Sequence, residues 1–95
     1  MVIGTLVLRL QVPESGSLKD KRQVVRSLVA RVRQTFNVAV AEVGDQDLWQ
    51  AVELGVACVS SDARHADEVC QKVLNFVGNY GDALLTDSRF EILRL

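Results

Sequence analysis

Residues 36–59, FNVAVAEVGDQDLWQAVELGVACV, decide the fold. Over 36–43, Val38 and Val40 share one side; after the GDQDLW connection, Val52, Leu54, Val56 and Cys58 alternate in the same way. A period of two is the signature of strands with one buried face. A connection of this length joins two such runs as a hairpin.

Helical patterns flank the hairpin on both sides. Upstream, Leu18, Val25, Leu28, Val29, Val32 and Phe36 recur at helical spacing, so a helix of about five turns is expected from Leu18 to about Thr35. Ser17 and Asp20 stand at its start as N-cap and third residue of a capping-box-like pair. Downstream, Ser61 or Asp62 caps a second helix with the stripe Ala66, Val69, Cys70, Val73, Val77 and Tyr80, and Gly78 to Gly81 stops it. Alternating runs over 3–12 and 84–95 supply the outer strands, with Leu6, Leu8, Leu10 and Val12 facing inward in the first and Phe90 and Ile92 alternating in the last. The order β-α-β-β-α-β predicts an α+β, ferredoxin-like sandwich, a four-stranded antiparallel sheet with both helices on one face, filling residues 1–95 as one domain.

Such a sandwich leaves one sheet face uncovered. Its expected residues are Thr5, Val7, Asn37, Ala39, Ala41, Val43, Gly55, Ala57 and Val59, with Arg9, Glu53, Arg89 and Glu91 among them. A small, apolar face of this kind meets a partner in many proteins, so Ala39, Ala41, Gly55 and Ala57 form a candidate interface, for a homo-oligomer first, with a different protein, a small ligand or a plain small-residue surface as the alternatives. It does not suit base stacking, because the sheet positions that carry aromatics in single-strand RNA readers hold Ala, Val and Gly here. Trp49, just before the third strand, has two readings: a lid folded over the core, or an anchor for a partner.

Charge is unevenly divided. Residues 1–35 carry seven Lys/Arg against two acids, a local net of +5, whereas residues 36–95 carry four against ten, a local net of −6. Lys19, Arg22, Arg26 and Arg33 fall within an arc of about 60° on helix one, roughly a right angle from its apolar stripe. Lys19, Lys21 and Arg22 also crowd the first turn, where the helix dipole disfavours each cation by about 0.3–1 kcal/mol. Ser17, Lys19, Lys21, Arg22, Arg26 and Arg33 are therefore the candidate anion or RNA-backbone site, against the plainer reading of a solvated face.

Catalytic and metal chemistry find little support. His65 is the only histidine and falls on a different helix face from Cys70; it is read as a first-turn residue making a local hydrogen bond. Cys58 and Cys70 fit buried reduced thiols. One histidine and two separated cysteines do not make a zinc set, and Asp45 and Asp47 suit turn bonds in the hairpin connection. No G-x-G-x-x-G or Walker-type loop occurs, so no cofactor is expected and the chain is read as a non-enzyme. The apolar runs are far short of the ~20 residues that cross a bilayer, and no basic leader precedes the first strand, so a cytoplasmic protein without membrane contact is expected.

The segments SGSLKDKRQVVRSLVARVRQTFNVAVAEV, QDLWQ, LGVACVS and DARHADEVCQKVLNFV, in this order, resemble the YlxP-like family of small bacterial proteins of unknown function. The resemblance covers nearly the whole chain and implies a ferredoxin-like fold with no established activity. The frequent position of the family's genes beside those for a translation initiation factor and a ribosome-binding factor implies ribosomal RNA or a ribosomal particle as partner. Ser17, Leu18, Lys19, Lys21 and Arg22 carry the matching motif, to which the family assigns no role.

Overall fold

The structure is a computed structural model that describes residues 1–13, 16–45 and 48–95. Its elements follow the expected order: β1 (Val2–Gln11), α1 (Leu18–Thr35), β2 (Ala39–Gly44), β3 (Ala51–Ser60), α2 (Ala63–Gly78) and β4 (Leu84–Arg94). The sheet runs β2-β3-β1-β4 with every neighbouring pair antiparallel, the ferredoxin-like arrangement. One boundary differs from the pattern, the start of β2. Phe36 and Val38 continue the apolar alternation but lie outside β2, because Phe36 caps α1 and turns its ring edge-on to Phe76, centroids 5.7 Å apart.

The core lies between the sheet and the helices. Leu6, Leu8 and Leu10 from β1, Val52, Leu54, Val56 and Cys58 from β3, Leu28 and Val32 from α1, and Cys70, Val73 and Val77 from α2 are all buried in it. Cap chemistry sets where the helices start: Ser17 Oγ accepts from the Asp20 N–H at 3.2 Å, and Asp62 Oδ1 accepts from the Arg64 N–H at 3.0 Å. Gly4 lets α2 approach β1 closely, since a Cβ there would stand 3.0 Å from Cys70 Sγ and 3.2 Å from the Ala66 Cβ. Tyr80, expected on the stripe of α2, lies just beyond its C-cap Asn79, and shares a 2.7 Å hydrogen bond with Ser27 that ties α1 to the α2–β4 connection.

A bulge between Glu42 and Gly44 ends the regular pairing of β2 with β3. Glu42 stands opposite Leu54, on the side of the sheet that carries the core, and so meets α1.

Candidate RNA-contact surface

Helix one presents two different sets of cations. Position 21 lies four residues before Val25 and seven before Leu28, which puts it on the buried stripe. Lys21 is accordingly only 1% exposed. Its ammonium donates to the carbonyls of Asp45, at 2.5 Å, and Leu48, at 2.8 Å, and lies 3.2 Å from Glu42 Oε2. The last contact pairs charges without hydrogen-bond alignment, for Glu42 Oε2 is buried with no hydrogen-bond partner. A buried charge is retained only where it is paired and hydrogen-bonded, and Lys21 meets that condition within the protein.

Three expectations are corrected by this geometry. Lys21 does not belong to an anion-contact surface, because its ammonium is buried and turned inward to protein oxygens. The helix start is also occupied: Ser17 Oγ accepts from Asp20, and Asp20 Oδ2 accepts from the Gly16 N–H at 3.3 Å, so a carboxylate of the protein already answers the positive end of the dipole. Trp49 is not a lid over the core, being 56% exposed beside Leu48 at 54%.

Lys19, Arg22 and Arg26 remain. All three are exposed, and none pairs with a carboxylate among the described residues. Arg33 is exposed too but engaged, donating through Nη2 to the Val40 carbonyl at 2.9 Å. That bond lays the basic flank of α1 against β2, an edge strand of the sheet. The ridge and the backbone of β2 therefore run side by side, with Lys21 and the β2–β3 connection at one end.

On the other side of the sheet, Ala39 and Ala41 are exposed and Gly55 and Ala57 half-buried, all four on the open face. Val43 and Val59, 55% and 64% exposed, extend it, and a Cβ on Gly55 would stand 2.9 Å from Val43 Cγ1. Charges border this patch, with Arg9 paired to Glu53 at 3.1 Å and Arg89 to Glu91 at 4.0 Å. Trp49 precedes β3 and does not line that face; it borders a separate groove with Gln11 and Pro13.

Other candidates for chemistry are held in structural roles. His65 Nδ1 lies 3.3 Å from Ser60 Oγ, a local bond at the start of α2. Both cysteines are free and buried. Burial pushes the Cys58 thiol upward, and pushes that of Cys70 up to about 11, with Cys58 and Asp67 adding to the effect. Thiols in that condition are poor nucleophiles at neutral pH. Asp45 takes part through its backbone, its carbonyl accepting from Lys21 and from the Leu48 N–H at 3.1 Å, while Asp47 lies outside the described residues. Among the described residues no group of three or more His, Cys, Asp and Glu side chains converges, and no helix is long and apolar enough to cross a membrane.

Comparison with known proteins joins this geometry to a family. Residues 3–90 match the family DUF503, described as a protein of unknown function. The chain belongs to the DUF503 family. Within reach of it is the uncharacterized protein YlxP of Bacillus subtilis (strain 168), 36% identical over 90 residues that make up 95% of this chain and 98% of that one. Among solved structures, a REP-associated tyrosine transposase bound to a REP hairpin shares 11% identity at a TM-score of 0.46, over 98% of this chain and 56% of that chain. The DUF503 chain thus spans about half of the transposase, and at that degree of likeness nothing about its function follows.

Sequence reasoning missed the inward Lys21 and its Glu42 partner. The signal was present in the spacing of Leu18, Lys21, Val25, Leu28 and Val32, where a lysine occupies a core position of the stripe.

Proposed function

We propose that this DUF503 protein is a non-catalytic cytoplasmic factor that contacts RNA phosphates, in ribosomal particles, through Lys19, Arg22 and Arg26 on the outer flank of α1. One observation carries the reading: these three cations stand exposed and without ion-pair partners among the described residues, while Lys21 in the same helix is fully engaged. Unpaired cations on a rigid ridge of about two turns suit a phosphate backbone, whose charges repeat along a line. Arg33 extends the ridge with part of its donor capacity already taken by Val40.

The test is retention on ribosomal particles across a salt series. Three phosphate contacts to single-stranded RNA imply that log affinity falls with log salt at a slope of about −2, through counterion release. Exchanging Lys19, Arg22 and Arg26 together for Glu is expected to remove the protein from the particles at low salt. Absence of the parent protein from every particle fraction at low salt would sink the reading.

A competing reading places a second copy of the chain on the open sheet face. It is favoured by the exposed Val43 and Val59 around Ala39, Ala41, Gly55 and Ala57. A homodimer of that kind would be insensitive to salt and would be broken by Ala41→Lys, as read by sedimentation.

A further inference from the structure

The two edges of the sheet are finished differently. β2, at one edge, is 6 residues long, carries the bulge between Glu42 and Gly44, and has its Val40 carbonyl taken by Arg33 Nη2 at 2.9 Å. Short length, bulges and covering side chains are devices that keep an edge from pairing with another chain. β4, at the other edge, is 11 residues long without a proline or a lysine, and among the described residues no strand lies beyond it. Its ladder to β1 shows which backbone groups are left over. Leu95 donates to the Met1 carbonyl at 2.9 Å and accepts from the Met1 ammonium at 3.2 Å, so that pair is bonded both ways. Bonded pairs alternate along an antiparallel ladder, so Leu93, Glu91 and Arg89 turn N–H and C=O toward β1, while Ile92, Phe90 and Ser88 turn theirs outward. The Ser88 N–H agrees with that order, since it donates to Asp87 Oδ1 at 2.9 Å.

An outward row of this kind accepts another strand, and the side chains select which. A second copy that meets β4 antiparallel about a two-fold axis must set outward-facing residues opposite one another, so the axis passes through a residue of the strand. Through Arg89 or Glu91 it would bring like charges face to face, which is unfavourable. Through Ser88 it would need, at its centre, the N–H groups that Asp87 already holds. Through Ile92 it would leave Arg89 and Glu91 without an opposite charge. Through Phe90 it sets Arg89 against Glu91 of the second copy, twice over, in the close positions between bonded pairs. Within one chain these two charges make only a 4.0 Å contact, with side chains 73% and 61% exposed, so both are available to a partner. The half-buried Phe90 ring, on the helix side of the sheet opposite Leu6, then meets its own copy across the axis.

We infer that β4 pairs with β4 of a second copy, antiparallel about a two-fold axis at Phe90, so that two four-stranded sheets join into one. Phe90 exchanges N–H and C=O with its counterpart, and each Ile92 N–H reaches the Ser88 carbonyl of the other copy, which leaves the Asp87 contacts in place. The basic flank of α1 lies against β2, at the far edge of each sheet, so this pairing neither needs nor blocks an RNA contact. It also leaves the open face uncovered and is distinct from a dimer built there.

The full chain is followed by sedimentation from about 1 μM to about 1 mM, with amide hydrogen exchange read at both ends of the range. A monomer–dimer equilibrium is expected, in which the Phe90 and Ile92 amides gain protection as the dimer forms. Arg89→Glu and Glu91→Arg should each weaken the dimer about thirtyfold, because each turns two facing opposite charges into like ones. Mixed in equal amounts, the two variants should regain the parental affinity, since one chain then offers two acids and the other two cations at facing positions. A chain that stays monomeric to about 1 mM would overturn the inference. So would a dimer that Ala41→Lys breaks while the Phe90 and Ile92 amides exchange freely, which would place the second copy on the open face. A dimer that neither single exchange weakens, or that mixing the two fails to restore, would overturn the axis at Phe90.

Discussion

The two sides of α1 at its first turn place the same side chain in opposite settings. Lys21, on the inner side, has lost its water and gained two carbonyls and a carboxylate, while Lys19, on the outer side, keeps its water and has no ion-pair partner among the described residues. The inner cation closes the end of the sandwich and holds the segment that carries Trp49. The outer one contributes nothing to that closure and stands where the helix dipole disfavours it. What separates a structural cation from one left in water is therefore its position around the helix rather than its place in a run of basic residues.

The sharpest way to break this comparison is Lys21→Met. It leaves the Asp45 and Leu48 carbonyls without their donor and Glu42 without its counter-charge, and a loss of about 3 kcal/mol is expected in denaturant unfolding. Adding Glu42→Met should recover less than half of that, because the carbonyls stay unpaired. A loss below about 1 kcal/mol would mean that the inner lysine is no more structural than the outer one.

Gly4→Ala probes the interior at a position without charge. Its Cβ would press on Cys70 and Ala66 where α2 meets β1, and a loss of about 2 kcal/mol is expected by the same measurement. Alkaline pH probes the same region. The Cys70 thiol ordinarily titrates near 9.0 and is raised to about 11 in the folded protein, so the unfolded chain loses its proton first. The stability this contributes is complete below about pH 9 and is lost progressively as pH rises toward about 11, to the extent of about 1–2 kcal/mol. Melting temperatures from about pH 8 to about pH 10.5 should fall less steeply in Cys70→Ala than in the parent.

The smallest expected effect on folding belongs to the outer cation. Lys19→Glu should stabilise the protein by about 0.5 kcal/mol, since it puts an acid at the positive end of the dipole, while weakening retention on ribosomal particles. A variant that gains stability and loses retention would separate the outer side of α1 from the inner more clearly than any deletion.

Much of this molecule is legible in its sequence because the signals are local. The period-two alternation of β1 and β3, the stripe of α2 and the Ser17–Asp20 cap depend on residues a few positions apart, and all appear in the structure. The edges of the pattern were misleading where a distant contact intervened. Val38 and Phe36 look like strand residues, yet Phe36 meets Phe76 forty positions away and belongs to the helix end. Read locally, Trp49 could equally cover the core or face water.

The sequence by itself determined the element order, the helix starts, the buried stripes and an uncovered sheet face, since hydrophobic periodicity and capping follow from the chain's own geometry. Only the tertiary structure decided which cations are engaged, that Trp49 faces water and how Arg33 engages the backbone of the β2 edge. Lys21, for one, meets Asp45 and Leu48, 24 and 27 residues away, and a charge keeps or loses its water according to such distant neighbours.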